Sequence, residues 1–171
     1  QAFDSDGILQ PFSDTPLDEE NLSENVYLEI LNSAKNYVYI YTPYLIIDNE
    51  METALKLAAK RGVDVRIVTP GIPDKKVVFF LSRSYYGNLI HAGVKIYEYA
   101  PGFIHAKSFV SDDKVAVVGT INIDYRSLYL HFDCLTLRAE SSTIKDIRED
   151  YEKTFKISRE ITESVLEGKW F

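Results

Sequence analysis

The sequence predicts an α/β domain built on a mixed, mostly parallel β-sheet with helices on both faces. Three observations carry that expectation. Helical and strand-like segments alternate with short connections from about residue 22 to residue 99, the arrangement that packs helices on a parallel sheet. After Ile104 the pattern changes to two strand-like runs joined by a tight turn, which adds an antiparallel part. The 171 residues, 46% of them hydrophobic, suit one sizeable core.

Residues 1–22 read as an acidic, loop-rich leader or linker, and residues 23–171 as a single domain. LSENVYLEILNSAKN places Val26, Leu28, Ile30 and Leu31 behind Ser23 as N-cap, the pattern of a helix. YVYIYTPY, rich in β-branched and aromatic residues, predicts a strand that stops at Pro43. DNEMETALKLAAKRG reads as a helix capped by Asp48, with acids in its first turn, Lys60 and Arg61 in its last, and Gly62 as terminator. VDVRIVTPG is the next strand. PDKKVVFFLSRSYYGNLIHAG reads as one helix from Asp74 to about Gly93, and VKIYEY as the strand after it. HAKSFVSD and KVAVVGT form a hairpin turning at Asp112 and Asp113, FDCLTLRAE adds a strand, and STIKDIREDYEKTFKISREI closes the chain as an amphipathic helix. No internal repeat of twenty to fifty residues is present.

Charge and composition exclude several function classes. The balance of 19 basic against 26 acidic residues gives a net charge of −7, which argues against wrapping of nucleic acid or broad adhesion to an anionic membrane surface. A phosphate site must therefore be local, and no nucleic-acid partner is expected. The single cysteine, Cys134, excludes an intrachain disulfide framework and reads as a small core residue. No apolar run approaches a membrane span, and the start QAFDSDGILQ has neither an initiator Met nor a signal-peptide pattern, so the chain reads as a piece of something longer.

The stretch that carries chemistry is HAKSFVSDDKVAVVGTINIDYRS. On a strand, side chains two apart share a face, so His105 and Lys107 point the same way while Asp112 has opposite parity and a structural role. A hairpin would bring Gly119, Thr120 and Asn122 back beside His105. Such a cluster suits attack on a phosphodiester: a neutral imidazole nitrogen is nucleophilic near neutral pH, while Lys107, Asn122 and the Thr120 hydroxyl can hold phosphoryl oxygens. The chemistry requires no metal and no cofactor. A nucleophilic histidine needs its second ring nitrogen fixed by an acceptor, and Asp133 on the next strand is the candidate.

These residues resemble the signature of the phospholipase D superfamily, HxKxxxxD followed after six residues by a GSxN-like segment. His105, Lys107 and Asp112 match the first part and GTIN the second, with Thr120 in place of the usual Ser. The acid that orients the histidine in that family, usually Glu, falls at Asp133. YTPYLIID, GVDVRIVTPGIPDKK, AGVKIYEYAPGFIHAKSFV and GTINIDYRSLYLHFDC are similar to the C-terminal half of bacterial cardiolipin synthases of the Gram-positive type. The resemblance implies a phospholipase D-like lobe and an active site shared by two lobes, one motif in each, where one His becomes phosphohistidine and the other serves as acid and base. It further implies transfer of a phosphatidyl group between phosphatidylglycerol molecules at the cytoplasmic face of the bacterial membrane. The partner is then a second motif-bearing lobe of the same parent chain, or a mate in a homodimer. The alternatives are a single-motif homodimeric phosphodiesterase or nuclease, and a lobe without catalysis when isolated.

Around this set, Asp124, Arg126 and His131 are candidates for supporting or substrate contacts, with an Asp124–Arg126 brace of the loop as the plainer account. His91 reads as a helix-end residue. Lys75, Lys76 and Arg83 could meet a lipid phosphate, although charges at a helix start are usually only hydrated. VVFFL with Tyr85 and Tyr86 is more apolar than a one-sided helix requires, which fits either burial or a contact surface for a partner lobe or lipid chains.

Overall fold

In a computed structural model the chain is described over residues 6–17, 20–124 and 132–167. The elements run β1 (Ile8–Asp14), α1 (Leu22–Ser33), β2 (Tyr37–Tyr41), β3 (Leu45–Ile46), α2 (Asn49–Lys60), β4 (Asp64–Pro70), α3 (Lys76–Ser84), α4 (Tyr86–His91) and β5 (Lys95–Tyr99). The second half continues with β6 (Ser108–Ser111), β7 (Val115–Gly119), β8 (Ile123–Asp124), β9 (Asp133–Ala139), α5 (Thr143–Ile157), β10 (Ser158–Ile161) and α6 (Glu163–Glu167). Eight strands form one sheet in the order β1-β9-β7-β6-β2-β4-β5-β10, and β3 pairs with β8 in a small second sheet.

The main sheet is mixed, as expected, with its parallel part confined to β2, β4 and β5. Its other pairings are antiparallel, so the parallel share is smaller than the early helix–strand alternation suggests. Alternation along the strands sends side chains to two cores. Val38 and Ile40 of β2 and Val65 and Ile67 of β4 pack with Tyr27 and Leu31 of α1, Leu55 of α2 and Leu89 of α4. Tyr39 and Tyr41 of β2 and Val68 of β4 pack on the opposite face against Ile144, Tyr151 and Phe155 of α5. Helices therefore cover both faces.

Tyr151 fixes α5 to the sheet. Its ring stacks on Tyr41 with centroids 3.8 Å apart, and its hydroxyl donates to the Ser108 carbonyl at 2.8 Å and accepts from the Tyr41 N–H at 3.0 Å. The hairpin turns at Asp112 and Asp113, both at positive φ, a conformation aspartate tolerates better than most residues. The Asp112 carboxylate accepts from the Lys35, Asn36 and Tyr37 N–H groups at 2.7, 2.9 and 2.9 Å, so it joins the hairpin tip to the entry of β2. Burial opposes its charge, but those amides outweigh it and hold the carboxyl below its ordinary range.

Several elements differ from the sequence expectation. Residues 8–14 of the expected leader form β1, antiparallel to β9, and Asp14 accepts from the Ser23 N–H at 2.8 Å. Ser23 lies inside α1, whose N-cap is Asn21, so the first turn is satisfied from β1 rather than by Ser23. The helix expected over residues 74–93 is two helices broken at Tyr85, and the break turns Tyr86 and Leu89 into the core while α3 buries only Ser82. The closing helix ends at Ile157, because residues 158–161 pair with the open edge of β5 as β10. Cys134 is exposed, since its neighbours Asp133 and Leu135 occupy the inward positions of β9. Asp48 does cap α2, accepting from the Met51 N–H at 2.8 Å, and Gly62 follows with φ at 91°.

Candidate active site

The site lies where β2 runs out. Tyr41 is the last β2 residue with a partner on β6, and that partner is Ser108. The chain before Ser108 therefore projects beyond the sheet, and His105 and Lys107 stand on this projection rather than within the strand. The β6–β7 register sets Val118 opposite Ser108, and the Gly119 N–H donates to the Lys107 carbonyl at 3.2 Å. The segment after β7 is thereby returned to His105. His105, Lys107, Gly119, Thr120 and Asn122 line one open recess of about 590 Å³.

Gly119 is required by a close approach of two strands. A Cβ at this position would lie 2.5 Å from the Cys134 carbonyl oxygen and 2.8 Å from the Leu135 Cα, both backbone atoms of β9. Thr120 is held to the same strand by its N–H, which donates to the Cys134 carbonyl at 3.1 Å. Its hydroxyl donates to the Asp133 carboxylate and accepts from the Cys134 N–H at 3.2 Å. With its proton committed to Asp133, Thr120 braces the turn before it can hold a phosphoryl oxygen. That differs from the role expected of it.

Lys107 is the centre of the geometry. Only 9% of it is exposed, and its ammonium meets the two ring nitrogens of the exposed His105 at 2.9 and 3.1 Å and donates to the His105 carbonyl at 2.8 Å. Burial pushes its pKa down, while the carboxylates of Asp133 and Asp124 act in the opposite direction. Asp124 reaches this position because β8 pairs with β3, with Asp124 opposite Ile46. Lys107 is thus a charged donor removed from water and set in the field of two acids.

His105 shifts downward from its ordinary value, first through burial and then through the adjacent Lys107 charge. Asp74 opposes that shift. The sequence points to Asp133 as the orienting carboxylate. The structure instead places Asp133 against Thr120 and in the field of Lys107, and the carboxylate whose charge reaches the imidazole is Asp74. Asp74 accepts from the Tyr44 hydroxyl at 2.6 Å and the Lys75 N–H at 2.6 Å. Tyr44 is pushed up to about 12, by burial first and then by that bond. Phe103 stacks on the imidazole with ring centroids 5.9 Å apart. Tyr44, Asp74 and Phe103 were missed in the sequence because none stands at a motif spacing; only their distance along the chain from His105 is legible there.

The remaining candidates lie elsewhere. Asp112 is at the far end of β6, joined to residues 35–37. Arg83 is committed to the buried Glu98 by paired bonds of 2.7 and 2.9 Å, and Arg159 joins the same carboxylate, so Arg83 is not available to a lipid phosphate. His91 ends α4 in solvent, 3.5 Å from Glu163. Lys75 and Lys76 are exposed at the start of α3. Arg126 and His131 lie outside the described residues. Among the described residues no three acidic, His or Cys side chains gather as a metal site, and no helix is long and apolar enough to cross a membrane.

Comparison with known proteins gives this geometry a family. A family described as "Cardiolipin synthase, PLD-like domain" matches residues 27–156. An uncharacterised protein of Streptococcus mutans is 58% identical over 163 residues, covering 95% of this chain and 35% of its own length. Cardiolipin synthase 1 of Bacillus anthracis is 40% identical over 161 residues, covering 94% of this chain and 32% of its own length. The chain thus spans about a third of the length of these curated relatives. Among solved structures, the phospholipase D family member Nuc from Salmonella typhimurium superposes with a TM-score of 0.77 at 17% identity, over 91% of this chain and 99% of that one. The phosphatidylserine synthase of Haemophilus influenzae gives 0.73 at 15% identity, over 90% of this chain and 40% of that one. The structural likeness establishes the shared fold, and the family match over most of the chain establishes descent. The chain belongs to the phospholipase D-like domain family of the cardiolipin synthase type.

Proposed function

We propose that this chain is one catalytic lobe of a phosphatidyltransferase that makes cardiolipin from two molecules of phosphatidylglycerol, with His105 as its reacting group. The observation that carries the reading is the buried Lys107 ammonium held against the His105 ring at 2.9 Å. A cation in that position favours the neutral imidazole and offers a donor to an incoming phosphoryl oxygen where water competes poorly. Asn122, on the wall of the same recess, supplies a second polar group to the phosphate. Asp133 and Thr120 keep the turn in place, and Asp124 and Asp133 compensate the Lys107 charge.

In the first step an imidazole nitrogen attacks phosphorus, a P–N bond forms, and the P–O bond to the departing glycerol breaks. A histidine of the second lobe gives that glycerol its proton. In the second step this histidine takes the proton back from the hydroxyl of another phosphatidylglycerol, whose oxygen displaces the imidazole from phosphorus. His105 fills one of these two roles and the second lobe supplies the other. The parent protein works at the cytoplasmic face of the bacterial membrane, where its substrate lies.

One observation favours a second reading. The Nuc chain is matched over 99% of its own length, so this fold also occurs as a one-lobe chain, and a homodimer would bring two copies of His105 together. Purified parent protein should convert phosphatidylglycerol vesicles to cardiolipin with one glycerol released per cardiolipin, and should leave DNA intact. Cleavage of DNA by a dimer of this chain, with phosphatidylglycerol untouched, would decide for the second reading.

A further inference from the structure

Helix α3 carries its apolar residues on the wrong side for a helix that merely packs on a sheet. Its buried position is Ser82, whose hydroxyl accepts from the Leu45 N–H at 3.1 Å. Its outward face holds Val77, Phe80 and Leu81, at the i, i+3, i+4 spacing of one helical stripe and 80%, 56% and 44% exposed. Ile72, just before the helix, is 49% exposed. Lys75 and Lys76 stand exposed at the same end, and the first turn of α3 contains no acid. The nearby Asp74 has its carboxylate turned to Tyr44 and the Lys75 N–H, and Arg83 is bound to Glu98. The outer surface of α3 is therefore apolar with a basic end, on a chain whose net charge is −7.

A run of aromatic contacts links this surface to the residues around His105. Phe80 meets Phe79 ring to ring at 5.9 Å, Phe79 lines a cleft together with Phe103, and Phe103 stacks on His105. We propose that the outer face of α3 is where the protein rests on an anionic phospholipid bilayer, with Val77, Phe80 and Leu81 entering the apolar layer and Lys75 and Lys76 meeting the headgroup phosphates. The inference rests on the phosphatidyl-transfer reading. A lipid entering past α3 would keep its acyl chains against Phe80 and Phe79 while its phosphodiester moves inward to Lys107. A small amphipathic face flanked by lysines is the chemistry that binds such an interface, through apolar burial and attraction to anionic headgroups together. The exposed Lys75 and Lys76, with no acid in the first turn of α3, give this face a local positive charge that complements anionic headgroups although the chain as a whole is negative.

The test measures partition of the purified chain onto vesicles of phosphatidylglycerol and of phosphatidylcholine. The chain should bind the former more tightly. Val77→Asp/Phe80→Asp should weaken that binding by about tenfold or more, from the apolar area lost. Lys75→Glu/Lys76→Glu should weaken it by about tenfold on phosphatidylglycerol only. Phe80→Trp in a Trp170→Phe background should shift its emission to the blue when phosphatidylglycerol vesicles are added. Equal partition of the parent chain and both double variants, or an unchanged Trp emission, would overturn the proposal. So would a dimer that the Val77→Asp/Phe80→Asp pair dissociates in the absence of any vesicle binding, since the face would then belong to a second copy. Turnover of a monomeric short-chain phosphatidylglycerol by the full-length protein needs no bilayer. Failure there strikes the reaction, whereas failure of partition strikes the docking face.

Discussion

At the scale of single residues, His105, the proposed reacting group, is tuned by two charges of opposite sign. Burial and the Lys107 ammonium lower the His105 pKa, and Asp74 raises it. The neutral, nucleophilic form therefore persists to lower pH than in a free imidazole. An NMR titration of the His105 ring should give a midpoint below 6.5. Lys107→Met should raise that midpoint by removing a cation, and Asp74→Asn should lower it by removing an anion; a midpoint unmoved by either would contradict the geometry. The motif in the sequence locates His105 and Lys107, and the reason is the two-residue spacing that sets both on one side. It does not disclose Asp74, whose charge reaches the imidazole through the fold, Tyr44, which bonds Asp74, or the stacking of Phe103 on the ring. The assignment of Asp133 to the imidazole shows the same limit, because a spacing along β9 fixes which way a carboxylate faces but not which neighbour it meets.

At the scale of elements, the site depends on where strands stop and how closely they approach. Tyr41 is the last β2 residue to pair with β6, which leaves residues 105–107 beyond the sheet with their groups free to face a recess. HAKSFVSD reads as strand throughout, because its alternation continues past the point where a partner is present; the length of β2 decides the boundary. Gly119 is the counterpart on the neighbouring strand. Gly119→Ala would place a methyl against the backbone of β9 and force apart the strands that align Thr120 with Asp133. We expect a loss of about 1–3 kcal/mol in unfolding free energy by denaturant titration, from overpacking, together with reduced turnover. An alanine variant as stable and active as the parent would show that β9 yields at no cost. The break at Tyr85 was hidden for a related reason: an apolar run reads as buried helix, whereas VVFFL holds three residues exposed at helical spacing and the buried aromatic, Tyr86, begins the next helix.

At the scale of the whole molecule, the alternation of helices and strands up to Tyr99 and the hairpin after it were legible because each rests on local pattern. The two edge strands were not. β1 comes from the acidic opening and β10 from the tail of a helical pattern, and each becomes a strand only by pairing with an edge that the fold supplies. The opening segment consequently supports the site, since β1 flanks β9 and sets Asp14 opposite Asp133. Among the described residues the recess presents one histidine, and the proposed transfer through a covalent intermediate calls for two, so on that proposal the molecule acts as half of a catalytic unit. The most direct measurement is cardiolipin formation from phosphatidylglycerol vesicles by the full-length protein carrying His105→Ala. The expected result is a fall of about a thousandfold or more, roughly 4 kcal/mol of transition-state stabilisation, with folding unchanged because the imidazole is exposed. Transfer within about tenfold of the parent protein, roughly 1.4 kcal/mol, would contradict it.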